Sequence, residues 1–123
     1  MLFYSDSIII TKSYYESNRD IVRGFLRASA RGWVYARENP EAAVDLMYEV
    51  VRGTLGEGAP KDAQVAMCKA TVTHVGVGRG KVPFIMEPSR WEAMEDQLYR
   101  IGRLNRKGIA STVCDFKIAE EAQ

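Results

Sequence analysis

The feature that most restricts how this chain can fold is a long amphipathic segment between residues 17 and 38. Ser17 suits a helix N-cap, and Asp20 occupies the position three residues later that a capping box uses. At about 100° per residue, one broad arc of a helix would carry the apolar side chains Ile21, Val22, Phe25, Leu26, Ala28, Trp33 and Ala36. The segment therefore predicts a helix that ends near Glu38 and packs one face against a core.

Arginines recur at every fourth position on the opposite side of this helix, at Arg19, Arg23, Arg27 and Arg31. Such a row is ordinarily a solvent-exposed face, although it could also meet an acidic partner or anionic lipid. The net charge of the chain is only +1, whereas general nucleic-acid binders carry a large basic excess. No apolar stretch approaches the length of a bilayer. We therefore predict no nucleic-acid partner and no membrane embedding.

Three further helices are predicted from their start signals and apolar spacing. Asn39-Pro40-Glu41 starts a helix that reaches about Arg52, because asparagine suits the N-cap and proline the first helical position. Pro60 starts another helix, which runs to roughly Thr73. Glu87-Pro88-Ser89 starts the last, which ends near Asn105, and the tail beyond it is ambiguous.

The N-terminal segment from Leu2 to Thr11 predicts a strand, because aromatic and β-branched residues precede the apolar run Ile8 to Ile10. A short helical turn follows over residues 12 to 16. We therefore expect a single domain over residues 1–123, mainly α with a small β component, in which an N-terminal strand precedes about four helices. The side chains expected to be buried are Phe25, Trp33, Leu46, Met47, Trp91 and Leu98.

Three side chains could in principle support nucleophilic catalysis or metal binding. His74 is the only histidine, and Cys68 and Cys114 are the only cysteines. No nucleophile motif surrounds either cysteine, and neither a C-x-x-C nor an H-x-x-H spacing occurs, so we predict no enzyme activity, no metal site and no cofactor. The glycines of residues 76–81 follow a predicted helix and lack the Gly-Lys-Ser/Thr ending of a phosphate-binding loop, so they predict a connector. Whether the cysteines pair is left open, with the reduced state as the default.

Two blocks of residues follow an order that goes beyond a generic amphipathic helix pair. The first comprises Asn18, Val22, Phe25, Arg27-Ala28, Arg31-Gly32-Trp33, Tyr35-Ala36, Asn39-Pro40-Glu41 and Ala43-Val44. The second is Met86-Glu87-Pro88-Ser89-Arg90-Trp91, followed by Gly102-Arg103-Leu104. Together they resemble the C-terminal half of NMT1/THI5-like substrate-binding proteins of ABC transporters, which include binders of alkanesulfonates, nitrate and thiamine pyrimidine precursors. Arg19 departs from this pattern, because the family commonly has proline there.

The resemblance implies a lobe-like piece of a periplasmic-binding-protein-like α/β fold, less than half of one two-lobed protein. It implies that the chain binds a small anionic or heteroaromatic solute, performs no chemistry and works with an ABC permease. Tyr4, Ser5 and Asp6 would lie near the interlobe cleft, where a phenol, a hydroxyl and a carboxylate could hydrogen-bond the solute. The family is periplasmic or extracytoplasmic, whereas Met1 to Lys12 predict no signal peptide, so the chain as written would remain in the cytoplasm.

Two other functions remain as alternatives, an oligomeric helical interaction module and a relative of the thiamine pyrimidine synthase. The synthase relatives use a histidine and a cysteine-rich segment from the half of the protein that has no counterpart here, so the resemblance does not carry that activity over. A lone strand at residues 2–11 would expose an unpaired edge with Ile8 to Ile10 on it. We therefore expect a homodimer, unless the strand folds back on the tail near Ile109 to Phe116.

Overall fold

The computed structural model describes residues 7–51, 60–75 and 83–122. Seven helices lie within these ranges: α1 Lys12–Ser17, α2 Arg19–Glu38, α3 Pro40–Val51, α4 Lys61–His74, α5 Pro88–Arg100, α6 Ala110–Val113 and α7 Ile118–Glu121. Helices α2 to α5 confirm the four predicted helices, and α1 confirms the predicted turn. Helix α5 ends before the predicted Asn105, and the tail that was ambiguous from sequence forms the two short helices α6 and α7.

Asparagine residues end the first two helices. The side-chain amide of Asn18 donates to the Tyr14 carbonyl at 3.1 Å, and the side-chain amide of Asn39 donates to the Tyr35 carbonyl at 3.3 Å. Each amide thus adds a hydrogen bond to a carbonyl in the last turn of its helix, where unpaired carbonyls need partners. Ser17 is therefore the last residue of α1 and not the predicted N-cap of α2, because Asn18 with φ −137° separates the two helices. A proline follows Asn39, and α3 begins there.

The predicted β component is wrong for every residue that the structure describes. Residues 7–11 of the predicted strand adopt no strand, and no sheet occurs in residues 7–51, 60–75 or 83–122. Aromatic and β-branched residues favour extended backbone, but a strand also requires a neighbour that completes its hydrogen bonds. Thr11 instead accepts a hydrogen bond from the Tyr14 backbone N–H at 3.4 Å and caps α1. The described residues are therefore all helix and connection, which overturns the expected α/β lobe.

The contacts group the chain into two units. One contains Met1–Gly24 and Ile85–Gln123, and the other contains Phe25–Phe84. In the first, the buried hydrophobic core residues are Val22, Met94, Ala110, Ile118, Ala119 and Ala122; in the second they are Leu26, Val44, Val65 and Val72. The single-domain prediction stays a prediction. No helix in the described ranges is both long enough and apolar enough to cross a membrane.

Two of the residues predicted to be buried are exposed, and the other four are only partly buried. Phe25 is 57% exposed and Leu46 is 51% exposed, whereas Trp33, Met47, Trp91 and Leu98 are partly buried. Leu26, next to Phe25, is only 6% exposed. Neighbouring residues on a helix point about 100° apart, so burial of Leu26 turns Phe25 away from the interior. The predicted inward arc of α2 included the buried Val22 and Leu26 but was too wide on the side of Ile21 and Phe25, which are exposed.

Candidate functional site

An open hollow lies between the second half of α2 and the first half of α3, within the unit Phe25–Phe84. Its volume is about 460 Å³. Its walls consist of Ser29, Gly32, Trp33, Tyr35, Ala36, Ala43 and Leu46. Small residues on both helices leave the space, and two aromatic rings and a leucine border it. Such a surface can hold an apolar or planar group and offers the Ser29 hydroxyl as a polar contact.

Two ion pairs link helix α4 to α3, which forms one side of this hollow. Lys69 Nζ lies 2.8 Å from Glu41 Oε1, and Lys61 Nζ lies 2.5 Å from Asp45 Oδ1. The hydrogen bond from Lys69 lowers the pKa of the Glu41 carboxyl below its usual value. Val44 of α3 and Val65 of α4 are buried in the same unit. The position of α3 is thus set by apolar packing and charge on the side away from the hollow.

A second group of polar side chains lies in the other unit, where we define the arginine–carboxylate cluster as Tyr15, Arg19, Arg23, Asp115 and Glu121. Arg19 Nη1 donates to Asp115 Oδ2 at 3.0 Å and also to the Tyr15 hydroxyl. Arg19 Nη2 donates to both Glu121 carboxylate oxygens, at 2.9 and 3.0 Å. Arg23 pairs with Asp20 and lies 4.0 Å from Glu121 Oε2. The cluster ties the C-terminal helix α7 to α1 and α2.

The cluster also changes the acidity of its members. Desolvation, together with the hydrogen bond that its hydroxyl donates to Asp115, raises the pKa of Tyr15 to about 12. Desolvation acts to raise the pKa of Asp115 as well, but hydrogen bonds from Tyr15, two backbone N–H groups and Arg19 outweigh it and lower that pKa. The hydrogen bond with Glu121 is the main cause that raises the pKa of Arg19. At neutral pH Tyr15 is therefore a neutral phenol, and Arg19 and Asp115 are charged.

The predicted ligand-binding residues Tyr4, Ser5 and Asp6 lie outside the described residues. Among the candidates for chemistry, His74 is exposed, and its Nδ1 lies 2.9 Å from the Ala70 carbonyl of its own helix. Cys68 and Cys114 are free and partly buried, and burial raises the pKa of the Cys114 thiol. Within the ranges that the structure covers, no three metal-ligating side chains of the His, Cys, Asp or Glu type come together.

Sequence reasoning missed the arginine–carboxylate cluster because it treated the four arginines as one exposed row. Arg27 and Arg31 are exposed, whereas Arg19 and Arg23 are only partly so and contact the C-terminal segment. A signal for the contact did exist in the tail. Asp115 precedes Lys117 and Ile118, and its Oδ1 accepts hydrogen bonds from their backbone N–H groups at 2.9 and 3.0 Å. Aspartate commonly makes such local turns.

The chain is similar to a known protein family over a stretch that contains most of the residues lining the hollow. Residues 1–43 match the family model described as NMT1/THI5 like. No curated protein and no solved structure matches the chain. The match supports the resemblance at the level of the family over these 43 of the 123 residues. It covers α1, α2 and the beginning of α3.

Proposed function

We propose that this chain is a solute-binding protein related to the NMT1/THI5-like family, which holds a small heteroaromatic molecule in the hollow between α2 and α3 and performs no chemistry on it. One observation carries the proposal. Six of the seven residues that line the hollow, all except Leu46, belong to residues 1–43, the stretch that matches the family model. The part of the sequence that is similar to a family of binders thus builds the concave surface.

The lining explains the class of ligand. Trp33 and Tyr35 offer flat aromatic surfaces, on which a heteroaromatic ring stacks favourably. Gly32, Ala36 and Ala43 leave the room that such a ring needs. Because no charged side chain among the described residues lines the hollow, orientation would come from the Ser29 hydroxyl. A pyrimidine of the kind used as a thiamine precursor fits this description better than a sulfonate does.

Gly32 provides a direct test of the hollow as the binding site. A Cβ added at Gly32 meets no atom within 4 Å, and the same holds at Gly24 of the same helix. Gly32→Leu would therefore place its Cβ in open space at the wall of the hollow and add side-chain bulk there, and it would replace a residue that lowers helix stability by about 1 kcal/mol relative to alanine. Gly24→Leu makes the same chemical change at a position that does not line the hollow.

Calorimetric titration with the hydroxymethylpyrimidine precursor of thiamine and, separately, with methanesulfonate would check the proposal. We expect the pyrimidine to bind the wild type and Gly24→Leu with equal affinity, and Gly32→Leu to bind it at least tenfold more weakly. Binding of neither compound to the wild type, or equal loss in both leucine variants, would contradict the proposal. Stronger binding of methanesulfonate than of the pyrimidine would show that the ligand class is wrong.

Delivery of the solute to an ABC permease is the transport role that the family similarity suggests. The absence of catalysis is part of the same proposal, since binding and release of unchanged solute is what an uptake component does. Incubation with pyridoxal-type or phosphorylated substrates should therefore give no turnover. A rate that disappears in His74→Ala or Cys114→Ala would overturn this expectation and favour the synthase alternative.

An oligomeric interaction module is the second candidate function. It is favoured by the exposure of the apolar run Ile8 to Ile10, in which Ile9 is 91% exposed. Isolated exposed apolar side chains are common, but three in succession offer a surface for another chain. Self-association would be compatible with solute binding, because the run and the hollow involve different residues.

A further inference from the structure

We propose that Arg19 and Arg23 form a binding site for a carboxylate, and that the carboxylate of Glu121 in α7 occupies this site as an internal ligand that a small carboxylate-bearing molecule can displace. The occupant is visible in the structure. Both oxygens of Glu121 accept from Arg19 Nη2, and Arg23 Nη1 approaches Oε2 to 4.0 Å. Two guanidinium groups thus face one carboxylate, an arrangement that charged hydrogen bonds favour.

Arg19 is held in place independently of Glu121. Its other terminal nitrogen, Nη1, donates to Asp115 and to the Tyr15 hydroxyl, and its guanidinium carbon lies 5.2 Å from the centre of the Tyr15 ring. Asp115 is itself fixed by the backbone N–H groups of Lys117 and Ile118. When Glu121 leaves, Nη2 therefore remains in position with free hydrogen-bonding capacity, so the site is preorganised for the next carboxylate.

Glu121 is held loosely enough to exchange. Its side chain is 36% exposed and that of Arg19 is 40% exposed, so water competes for both partners. It lies at the end of a four-residue helix, which its few backbone hydrogen bonds stabilise little. The tethered Glu121 carboxylate acts at an effective concentration on the order of millimolar, so a free carboxylate displaces it only at high concentration and binds more tightly when the Glu121 carboxylate is removed.

Chemical rescue tests this site directly. Glu121→Ala removes the carboxylate and keeps a residue with high helix propensity. Propionate, whose three carbons correspond to the glutamate side chain from Cβ to the carboxylate, is then titrated while NMR follows the Nε–H signals of Arg19 and Arg23. We expect propionate to bind Glu121→Ala at least fivefold more tightly than the wild type, and neutral propionamide to shift neither signal.

Glu120→Ala is the matched control, because it removes an exposed carboxylate one residue away. Equal propionate affinity in Glu121→Ala and the wild type, the same gain in Glu120→Ala, or equal binding of propionamide would each overturn the proposal. If α7 detaches in Glu121→Ala, then Glu121→Gln keeps the side-chain length and removes only the charge. Propionate should still bind that variant at least twofold more tightly than the wild type, and no gain there would also overturn the site.

Discussion

Individual titrating groups give the sharpest tests at the scale of single residues, and Tyr15 is the first. Its pKa rises from 10.0 to about 12 in the folded chain, so the neutral phenol is the form that the fold favours. A raised pKa means that the contribution of Tyr15 to stability is complete below pH 10 and is lost as the pH rises towards 12. The free energy of unfolding of the wild type should therefore approach that of Tyr15→Phe over this interval.

Absorbance at 295 nm and denaturant unfolding measured at several alkaline pH values would check the Tyr15 prediction. Tyr14→Phe is the control, because Tyr14 is adjacent and exposed and makes no contact with the cluster that the structure describes. A gap between wild type and Tyr15→Phe that stays constant from pH 10 to 12 would show that the phenol is not held in its neutral form.

Asp115 has the opposite dependence on pH. Its pKa lies below the ordinary value of 3.8, so its contribution is present above that pH and is lost as the pH falls through the lower folded value. Asp115→Ala removes acceptors for Arg19, Tyr15 and the turn that begins α7, and at pH 7 it should cost about 1–2 kcal/mol. Urea unfolding at pH 7 and below pH 3 measures the cost. A cost that is as large in acid as at neutrality would contradict the role of the charge.

At the scale of elements, α2 shows which properties of a helix the sequence could predict and which it could not. Its existence, its end at Glu38 and the start of the next helix at Pro40 follow from periodicity, Asn39 and Pro40, all of which act locally. Its inward direction does not follow, because Ile21, Val22, Phe25 and Leu26 span a wide arc, and only the neighbouring helices decide which of them is covered. For the same reason, the sequence could not predict that Val44 is buried and Leu46 is exposed.

Two adjacent residues of α2 turn this distinction into a measurement. Leu26→Ala should lower the free energy of unfolding by about 2–4 kcal/mol, because it removes packed methyl groups from an interior position. Phe25→Ala removes a larger side chain but should cost less than about 1 kcal/mol, because more than half of that side chain is exposed. Denaturant titration of the two variants checks this order. If Phe25→Ala lowered the free energy of unfolding more than Leu26→Ala, then Phe25 and not Leu26 would face the interior.

The prediction of a strand, which is wrong for the described residues 7–11, has a different cause. The composition of residues 2–11 describes what an extended segment can do, but sheet formation depends on a second strand that must come from elsewhere. The candidate site shows the same limit. The sequence predicted ligand-binding residues at Tyr4, Ser5 and Asp6 and did not point to the hollow, and the contact between Arg19 and Glu121 joins residues about a hundred positions apart and has no local pattern.

For the molecule as a whole, self-association through the N-terminal run stays a prediction. At micromolar concentration we expect a symmetric dimer, because pairing two copies would cover Ile8 to Ile10 and supply each segment with backbone partners. Ile9→Lys should convert the dimer to a monomer, as measured by light scattering. Ile101→Lys is the control, since Ile101 is also exposed and the chemical change is identical. A wild-type chain of monomer mass would disprove the dimer.

The corner between α2 and α3 has a consequence for the kinetics of binding. The two walls of the hollow are joined by Asn39 alone, whose backbone and side-chain N–H groups both donate to the Tyr35 carbonyl. A junction of one residue that two hydrogen bonds hold in place restricts any swing of one wall over a captured molecule. Association should then need no closing step and be limited by encounter, so the lifetime of the complex, rather than its rate of formation, would distinguish good ligands from poor ones.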